Sequence, residues 1–367
     1  MSRHLLPRGY DPGGRLQMAE GRLSAHTAGG TAVEDLFLVH HYPPPDVTSL
    51  DALQITGTDA SVATVSHEDV RALPTTDVVA VLECAGNGRG LLAHRTPGNQ
   101  FGLGLFGQSR WRGARLTDLL DRAGFAEDQF ATLVVRGADE GLTQPENSRD
   151  RFAKALPRGK ALHPDTIVAW QVDGQALPAE HGGPMRLVVP GWYGIWWVKW
   201  PTQLVLTNHA YDEFDGFWQT RRYTYQDAGG TVLGVVRDQL PRAVLVSPRE
   251  GAAVTDREPL QILAWAGEQR VTRVDVSVDD GDTWQSAALV ERHGTWGWSR
   301  WETTLPDGLP RGLRRVAVRA SDDGGRTQHR EPAANRLGYG CNGIHVVQLD
   351  LVATPGPAQE PGSRTAR

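Results

Sequence analysis

Short apolar runs separated by turn-forming residues make up most of the chain, and one segment shows clear helical periodicity. Leu116, Leu119, Leu120 and Ala123 recur at i, i+3, i+4 and i+7, and Gly124 follows at the position of a C-cap. This spacing predicts one amphipathic helix that buries its leucine face.

Strands are predicted where apolar runs of about five to ten residues are bounded by polar residues or turns. Within 166–177, the pair Asp173-Gly174 is a strong hairpin signal. Many strands, few helices and no regular βαβ alternation predict a mixed α+β fold for residues 31–240. The predicted strands of this part are at 36–42, 78–82, 132–141, 166–177, 185–194 and 202–208.

The character of the pattern changes after about residue 240. Val274, Val276 and Val278 alternate with polar residues, and Asp280-Gly281 then marks a turn. Short strands with turn signals about every ten residues are typical of a β-sandwich, so an all-β domain is predicted for 241–354.

Three segments lack any regular period. Residues 1–30 are predicted to be an extended N-terminal arm, and about 208–243 an active-site loop or linker. Residues 355–367 are rich in Pro and Gly and are predicted to be a disordered tail.

The composition excludes several classes of protein. The chain has 367 residues, enough for two domains, and its net charge of −5 disfavours nucleic acid or an anionic membrane as partner. No apolar run reaches the length of a membrane-spanning helix. The N-terminal residues lack a secretory signal, so we expect a cytoplasmic protein, or a periplasmic one whose leader has been removed. The two cysteines, Cys84 and Cys341, fit neither a disulfide framework nor a zinc motif.

The stretch "VVAVLECAGNGRG" places Cys84 between a predicted buried strand and a turn of small residues. A lone cysteine of this kind is usually a small buried hydrophobic residue. The alternative is a thiol presented to a ligand, because the small residues from Ala85 to Gly90 allow close approach of a backbone. Arg89 adds a charge that favours the thiolate.

Several stretches together resemble the sulfite oxidase family of molybdopterin enzymes. They are "LECAGNGRG", "RWRGARLTDLL", "HGGPMRLVVPGWYG" with "WVKW", and "FWQTRRY", and their order and spacing match the catalytic domain from about Leu36 to Tyr223. The segment "DVSVDDGDTWQ" is similar to the immunoglobulin-like dimerisation domain of that family. The resemblance implies a molybdopterin-binding domain followed by an immunoglobulin-like sandwich, and a homodimer.

The resemblance also implies roles for individual residues. Cys84 matches the one protein ligand of molybdenum, whose other sulfur ligands come from the pterin dithiolene. Tyr223 and Arg89 match residues beside the substrate. The residues matching the family's cofactor anchors are Phe37, Leu38, Val39, His40, His41, Asp139, His181, Arg186, Trp197, Val198 and Lys199.

The sequence departs from the family at the substrate site. Val39 and Leu337 stand at two positions where an arginine is expected, although Arg336 is adjacent to the second. Phe101 stands where a pocket tryptophan is expected. A protonated His40 would restore part of the missing positive charge.

These observations predict a molybdenum-dependent oxidoreductase that transfers an oxygen atom, with oxidation of sulfite to sulfate as the expected reaction. The chain has no haem-attachment motif, so the electron acceptor is expected to be external, such as a cytochrome. One alternative is a reductase of the same family that acts on an S-oxide, an N-oxide or nitrate. Another is a non-catalytic binding protein on this fold, although such a protein does not need the thiol of Cys84.

Overall fold

Two hydrophobic cores organise the chain. The structure, a computed structural model, describes residues 5–10, 16–27, 29–144 and 146–353. The first core is built from residues before about 240, together with Leu337 and Tyr339 near the end of the chain. The second core is built from residues after 242. Across the described ranges, no helix is long and apolar enough to span a membrane.

Two five-stranded sheets form most of the first part. The first has the order Arg149–Pro157, Thr132–Leu142, Pro201–Thr207, Ala52–Thr56 and Val62–Ser66, with Pro201–Thr207 and Ala52–Thr56 parallel. The second has the order Gln175–Ala176, Ile167–Val172, Phe106–Arg115 and Thr75–Glu83, with Arg186–Val188 added beside Ile167–Val172.

Helices in this part are short. The α-helices are His67–Arg71, Leu116–Arg122 and Arg158–Ala161. Single 3₁₀ turns lie at Leu23–Ala25, Val33–Asp35, Val47–Ser49, Arg89–Leu91, Ala179–His181, Gly194–Trp196 and Tyr211–Glu213. A π-helix spans Phe217–Arg221.

The local patterns that were strongest in the sequence are confirmed. The predicted helix is Leu116–Arg122, its three leucines are buried, and Gly124 ends it with φ +83°. Asp173 and Gly174 both have positive φ and join two antiparallel strands. The strand predicted at 36–42 is shorter in the structure. Only Leu38–Val39 is a strand, and it pairs with Met18 and Ala19 of the strand Leu16–Glu20.

The N-terminal segment differs from the predicted extended arm. Leu6–Tyr10, Leu16–Glu20 and Leu38–Val39 form a three-stranded antiparallel sheet. Glu20 is 2% exposed and accepts hydrogen bonds from the N–H groups of Gly102 and Gly104. This part of the chain is therefore fixed to a loop about 80 residues away, a long-range pairing that no local period signals. Residues 1–4, 11–15 and 28 lie outside the described residues.

The predicted loop at 208–243 also contains regular structure. It includes the π-helix, the antiparallel pair Thr224–Gln226 and Val232–Val235, and the first residues of strand Arg242–Ser247.

Another two-stranded antiparallel pair lies near the N-terminus and joins His26–Thr27 to Gly30–Thr31. Short strands of this kind escape sequence patterns because two or three residues cannot show a period.

The second part is a β-sandwich, as predicted. One sheet has the order Arg242–Ser247, Leu260–Trp265, Ser299–Thr303 and Ala288–Arg292. The other has the order Ala253–Val254, His345–Leu351, Gly312–Asp322, Val271–Ser277 and Gln285–Ser286. Asp280 and Gly281 have positive φ in the turn after Val271–Ser277. The predicted disordered tail lies outside the described residues.

A small apolar cluster joins the two parts. Val81 and Phe106 of the first part pack against Val244, Trp265 and Trp298 of the second. The contact includes strand Thr75–Glu83, which ends directly before Cys84.

Candidate active site

Cys84 follows directly after the strand Thr75–Glu83, and its thiol faces a cavity. The Cys84 N–H donates to the carbonyl of Leu105 at 2.9 Å, and the Gly86 N–H points to Cys84 Sγ at 3.4 Å. The thiol is 8% exposed. Burial raises its pKa to about 11, although the Gly86 N–H and Arg89 act in the opposite direction. Arg89 thus favours the thiolate, as expected, but desolvation outweighs its charge, so the thiol is protonated in the protein alone.

The small residues after Cys84 serve the turn itself. Gly88 has φ +80°, and a Cβ at Gly90 would lie 2.9 Å from the Phe101 carbonyl oxygen. A Cβ at Gly86 would make only ordinary contacts. Backbone conformation and packing thus account for Gly88 and Gly90 without any ligand.

Most of the predicted site residues meet at this one cavity. It is lined by Phe37, Leu38, Val39, His41, Cys84, Asp139, His181, Arg186, Trp197, Lys199 and Tyr223. His40, Arg89 and Val198 do not line it. Five lining residues were missed: Leu82, Phe152, Glu180, Gly194 and Ile195. Glu180 and Gly194–Ile195 lie within or beside the stretches that carried the resemblance, but Phe152 had no local signal.

Arg186 is a buried cation without a carboxylate partner among the described residues. Its Nη1 and Nη2 donate to the carbonyls of His181 and Trp197, at 2.9 and 3.1 Å, and its Nε has no partner. Burial lowers its pKa to about 9. A buried guanidinium that lines a cavity and keeps a free donor is suited to bind an anion such as a phosphate.

Lys199 and Asp139 complete the polar part of the cavity. Lys199 Nζ donates to the Val39 carbonyl at 2.9 Å and lies 2.6 Å from His40 Nδ1. Asp139 is 5% exposed and its Oδ1 has no partner. Burial lowers the pKa of Lys199 and raises the pKa of Asp139. A ligand that offers a negative group to Lys199 and N–H groups to Asp139 would satisfy both.

His40 cannot supply the charge expected of it. It is 1% exposed, and burial together with Lys199 lowers its pKa far below the usual histidine value. His40 is therefore neutral and accepts from the ammonium group of Lys199. Arg336 does not replace the missing arginine either, because it is exposed and donates to Gln226. Leu337 is buried in the first core.

Aromatic rings form the wall around Tyr223. The Tyr223 hydroxyl lies 3.1 Å from His41 Nε2, and the ring of His41 stacks on Trp218 at 4.2 Å. Burial lowers the pKa of His41 to about 3, so its ring is neutral, and its tautomer decides whether Nε2 donates to the phenolic oxygen or accepts the phenolic hydrogen. On the other side, Tyr223 stacks on Tyr339 at 4.2 Å, and the guanidinium of Arg89 covers Tyr339 at 4.3 Å.

Comparison with known proteins agrees with this architecture. Residues 41–218 match the family model "Oxidoreductase molybdopterin binding domain", and residues 238–351 match "Mo-co oxidoreductase dimerisation domain". The sulfite oxidase of Gallus gallus is 31% identical over 299 residues, which are 75% of this chain and 63% of that protein. The chain thus spans less than two thirds of the length of that relative. The mitochondrial sulfite oxidase of Homo sapiens is 29% identical over 85% of this chain, which spans 60% of that protein.

A solved structure is similar over almost the whole chain. The crystal structure of the sulfane dehydrogenase SoxCD from Paracoccus pantotrophus has a TM-score of 0.75 and 26% identity, covering 95% of this chain and 91% of that one. The chain belongs to the sulfite oxidase family of molybdopterin-dependent oxidoreductases. The cofactor implied is therefore the molybdenum cofactor, and the unpartnered atoms of Arg186 and Asp139 beside the Cys84 thiol fit such a group.

Proposed function

We propose that this protein oxidises sulfite to sulfate at Cys84 and passes the electrons to an external one-electron carrier such as a cytochrome. The observation that carries the proposal is one cavity shared by the thiol of Cys84, the hydroxyl-bearing Tyr223 and the cations Arg186 and Lys199. Oxidation of one sulfite consumes one water and releases two electrons and two protons. The bound cofactor would supply this two-electron chemistry and the transfer of the oxygen atom.

Each of these residues would have a separate role in the site. Cys84 would hold the metal through its sulfur, with the thiol proton lost on binding, since a coordinating thiol is deprotonated. Arg186 and Lys199 would bind the phosphate of the cofactor, and Asp139 would accept from its ring N–H groups. The Tyr223 hydroxyl would donate its one hydrogen to the substrate oxyanion, while the neutral His41 ring, in the tautomer that carries its hydrogen on Nε2, would donate to the phenolic oxygen.

Oxidation of a sulfane sulfur is the second candidate. The structural neighbour over 95% of the chain is a sulfane dehydrogenase. Val39 lines the cavity and Leu337 is buried, so two positions expected to carry arginine are apolar. An apolar wall suits a less highly charged sulfur compound better than a dianion.

Metal analysis followed by titration with sulfite tests the proposal. The purified protein should contain stoichiometric molybdenum, and sulfite should bleach the absorption band from thiolate to molybdenum. Molybdenum without bleaching by sulfite would overturn the proposed substrate, and the same titration with a sulfane compound would then follow. Reoxidation of the reduced protein by nitrate, an S-oxide or an N-oxide would instead indicate a reductase; a nitrate reductase of Oryza sativa subsp. japonica is 27% identical over 77% of this chain.

Assembly and location are parts of the same proposal. The match of residues 238–351 to a dimerisation domain supports a homodimer, which light scattering of the purified protein would test. We also propose a cytoplasmic location, and fractionation of the source cells would test it. A monomeric mass by light scattering would contradict the proposed homodimer. Recovery of the protein in the periplasmic fraction would contradict the proposed cytoplasmic location.

A further inference from the structure

Two arginines beside the cavity are left over once Arg186 and Lys199 are assigned to the cofactor. They are Arg89, five residues after Cys84, and Arg222, directly before Tyr223. Neither lines the cavity in the protein alone. Arg89 nevertheless acts electrostatically on the Tyr223 phenol, and Arg222 is the residue before Tyr223 in the chain.

The two guanidinium groups face the same glycine. A Cβ built on Gly98 would lie 2.8 Å from Arg89 Nη1 and 3.9 Å from Arg222 Nη2. Gly98 also has φ +92°, a conformation that side-chain-bearing residues rarely adopt. Glycine at this position therefore leaves open the space between the two arginines.

Neither arginine has its charge balanced. Arg89 is 4% exposed, and among the described residues its guanidinium donates only to the carbonyls of Gly338 and Asn99, while its Nη2 has no partner. Arg222 is half-buried, and its guanidinium makes no hydrogen bond or ion pair with any of the described residues, although its backbone N–H donates to the Phe217 carbonyl at 2.9 Å. Its neighbour Arg221 differs, because it pairs with Asp215 at 2.6 Å. Two unpaired cations that share a pocket repel each other, and an anion between them would relieve that repulsion.

Contacts connect this pair to the residues beside the substrate. Arg89 covers Tyr339, which stacks on Tyr223. The charge of Arg222 contributes to lowering the pKa of His41, whose ring contacts the Tyr223 hydroxyl. An anion held by the pair would thus lie beside the phenol of Tyr223.

We infer that Arg222 joins Arg89, which the resemblance already placed beside the substrate, in binding the substrate anion, and that Arg222 determines specificity for a small sulfur oxyanion. Arg222 takes over the charge that Val39 and Leu337 do not provide. The inference deepens the proposed oxidation of sulfite and depends on it for the identity of the substrate. The prediction that a small oxyanion binds at this pair holds whether or not sulfite is the substrate.

The test compares Arg222→Met and Arg222→Lys with the matched control Arg221→Met in the molybdenum-loaded protein. For Arg222→Met, we expect the KM for sulfite to rise about tenfold or more, with kcat changed by no more than about twofold, because the lost charge acts on binding. The inhibition constant of sulfate, an unreactive oxyanion, should rise by the same factor. Arg222→Lys should retain most of the affinity, and Arg221→Met should behave as the wild type.

The outcomes separate this inference from the proposed function. Sulfite turnover with an unchanged KM in Arg222→Met would overturn the role of Arg222 and leave the proposed function intact. If the wild type does not oxidise sulfite, binding of sulfate measured by calorimetry decides. Binding that is lost in Arg222→Met and kept in Arg221→Met supports the anion site, and absent or unchanged binding overturns it.

Discussion

Glu83, the residue directly before Cys84, forms a fully buried ion pair with Arg242, the first residue of the sandwich. Glu83 Oε1 lies 2.7 Å from Arg242 Nε, and the two side chains are 0% and 3% exposed. The carboxylate also accepts from Asn87 at 3.1 Å and from the indole N–H of Trp265 at 2.8 Å. The second domain therefore fixes the backbone that positions the candidate metal ligand.

Removing one partner of this pair should be costly. Arg242→Met leaves the Glu83 carboxylate buried without its cation, so we expect the free energy of unfolding to fall by about 3–5 kcal/mol. Urea denaturation measures the change. The matched control is Arg112→Met, which breaks a partly exposed pair with Asp77 at 2.7 Å and should cost less than about 1 kcal/mol. If both substitutions lowered the free energy of unfolding equally, the inference that the second domain fixes the backbone before Cys84 would be contradicted.

The two cysteines provide a matched pair for testing the metal ligand. Cys84→Ser should leave the fold intact and abolish turnover, together with the thiolate-to-metal absorption band, because a hydroxyl is a poor substitute for a thiolate donor. Cys341→Ser should retain both, since Cys341 lies outside the cavity and donates only to the Asn87 carbonyl at 3.2 Å. Substantial activity in Cys84→Ser would refute the assignment.

The apolar position at Val39 can be tested by restoring a charge. Val39 is half-buried and lines the cavity, so Val39→Arg should place a guanidinium at its wall. If sulfite is the substrate, its KM should fall by about tenfold. Val39→Met, which adds length without charge, is the control. A raised KM in Val39→Arg, with turnover of a sulfane compound, would favour the second candidate function.

His26 should make the stability of the protein depend on pH. It is 5% exposed, and burial lowers its pKa from 6.5 to about 4. Because the folded-state pKa is depressed, this contribution is complete above pH 6.5 and is lost as the pH falls towards 4. Between pH 7.5 and 5 the loss is about 2 kcal/mol from this one group.

Urea denaturation at both pH values measures that loss. His26→Asn keeps a polar partner for Thr31, which lies 2.9 Å from His26 Nδ1, and should reduce the difference between the two pH values by about 2 kcal/mol. The substitution is expected to lower stability at pH 7.5 as well, so the comparison is between pH values within each protein. An unchanged difference would show that His26 does not titrate in this way.

Sequence patterns were reliable where one element carries its own signal. The helix Leu116–Arg122 and the turn at Asp173-Gly174 were predicted because periodicity and local conformational preference act over a few residues. The sheet that includes Leu16–Glu20 was not predicted, because its partner strand and the N–H groups that bind Glu20 are distant along the chain.

The candidate site shows the same division. The resemblance to the family, carried by the order and spacing of short motifs, is what brought Cys84, Asp139, Arg186 and Lys199 together as a predicted set. Charge states were not predictable in this way. The neutral state of His40 depends on burial beside Lys199, and the protonated thiol of Cys84 depends on desolvation.

The sequence by itself determined which chemical groups this protein has and the family to which it belongs. Only the tertiary structure decided which of those groups are partnered. Arg242 finds its carboxylate in Glu83, whereas Arg222 finds none within the described ranges. The physical reason is that pairing depends on distance and solvation in the folded chain, and neither is set by the spacing of residues along it.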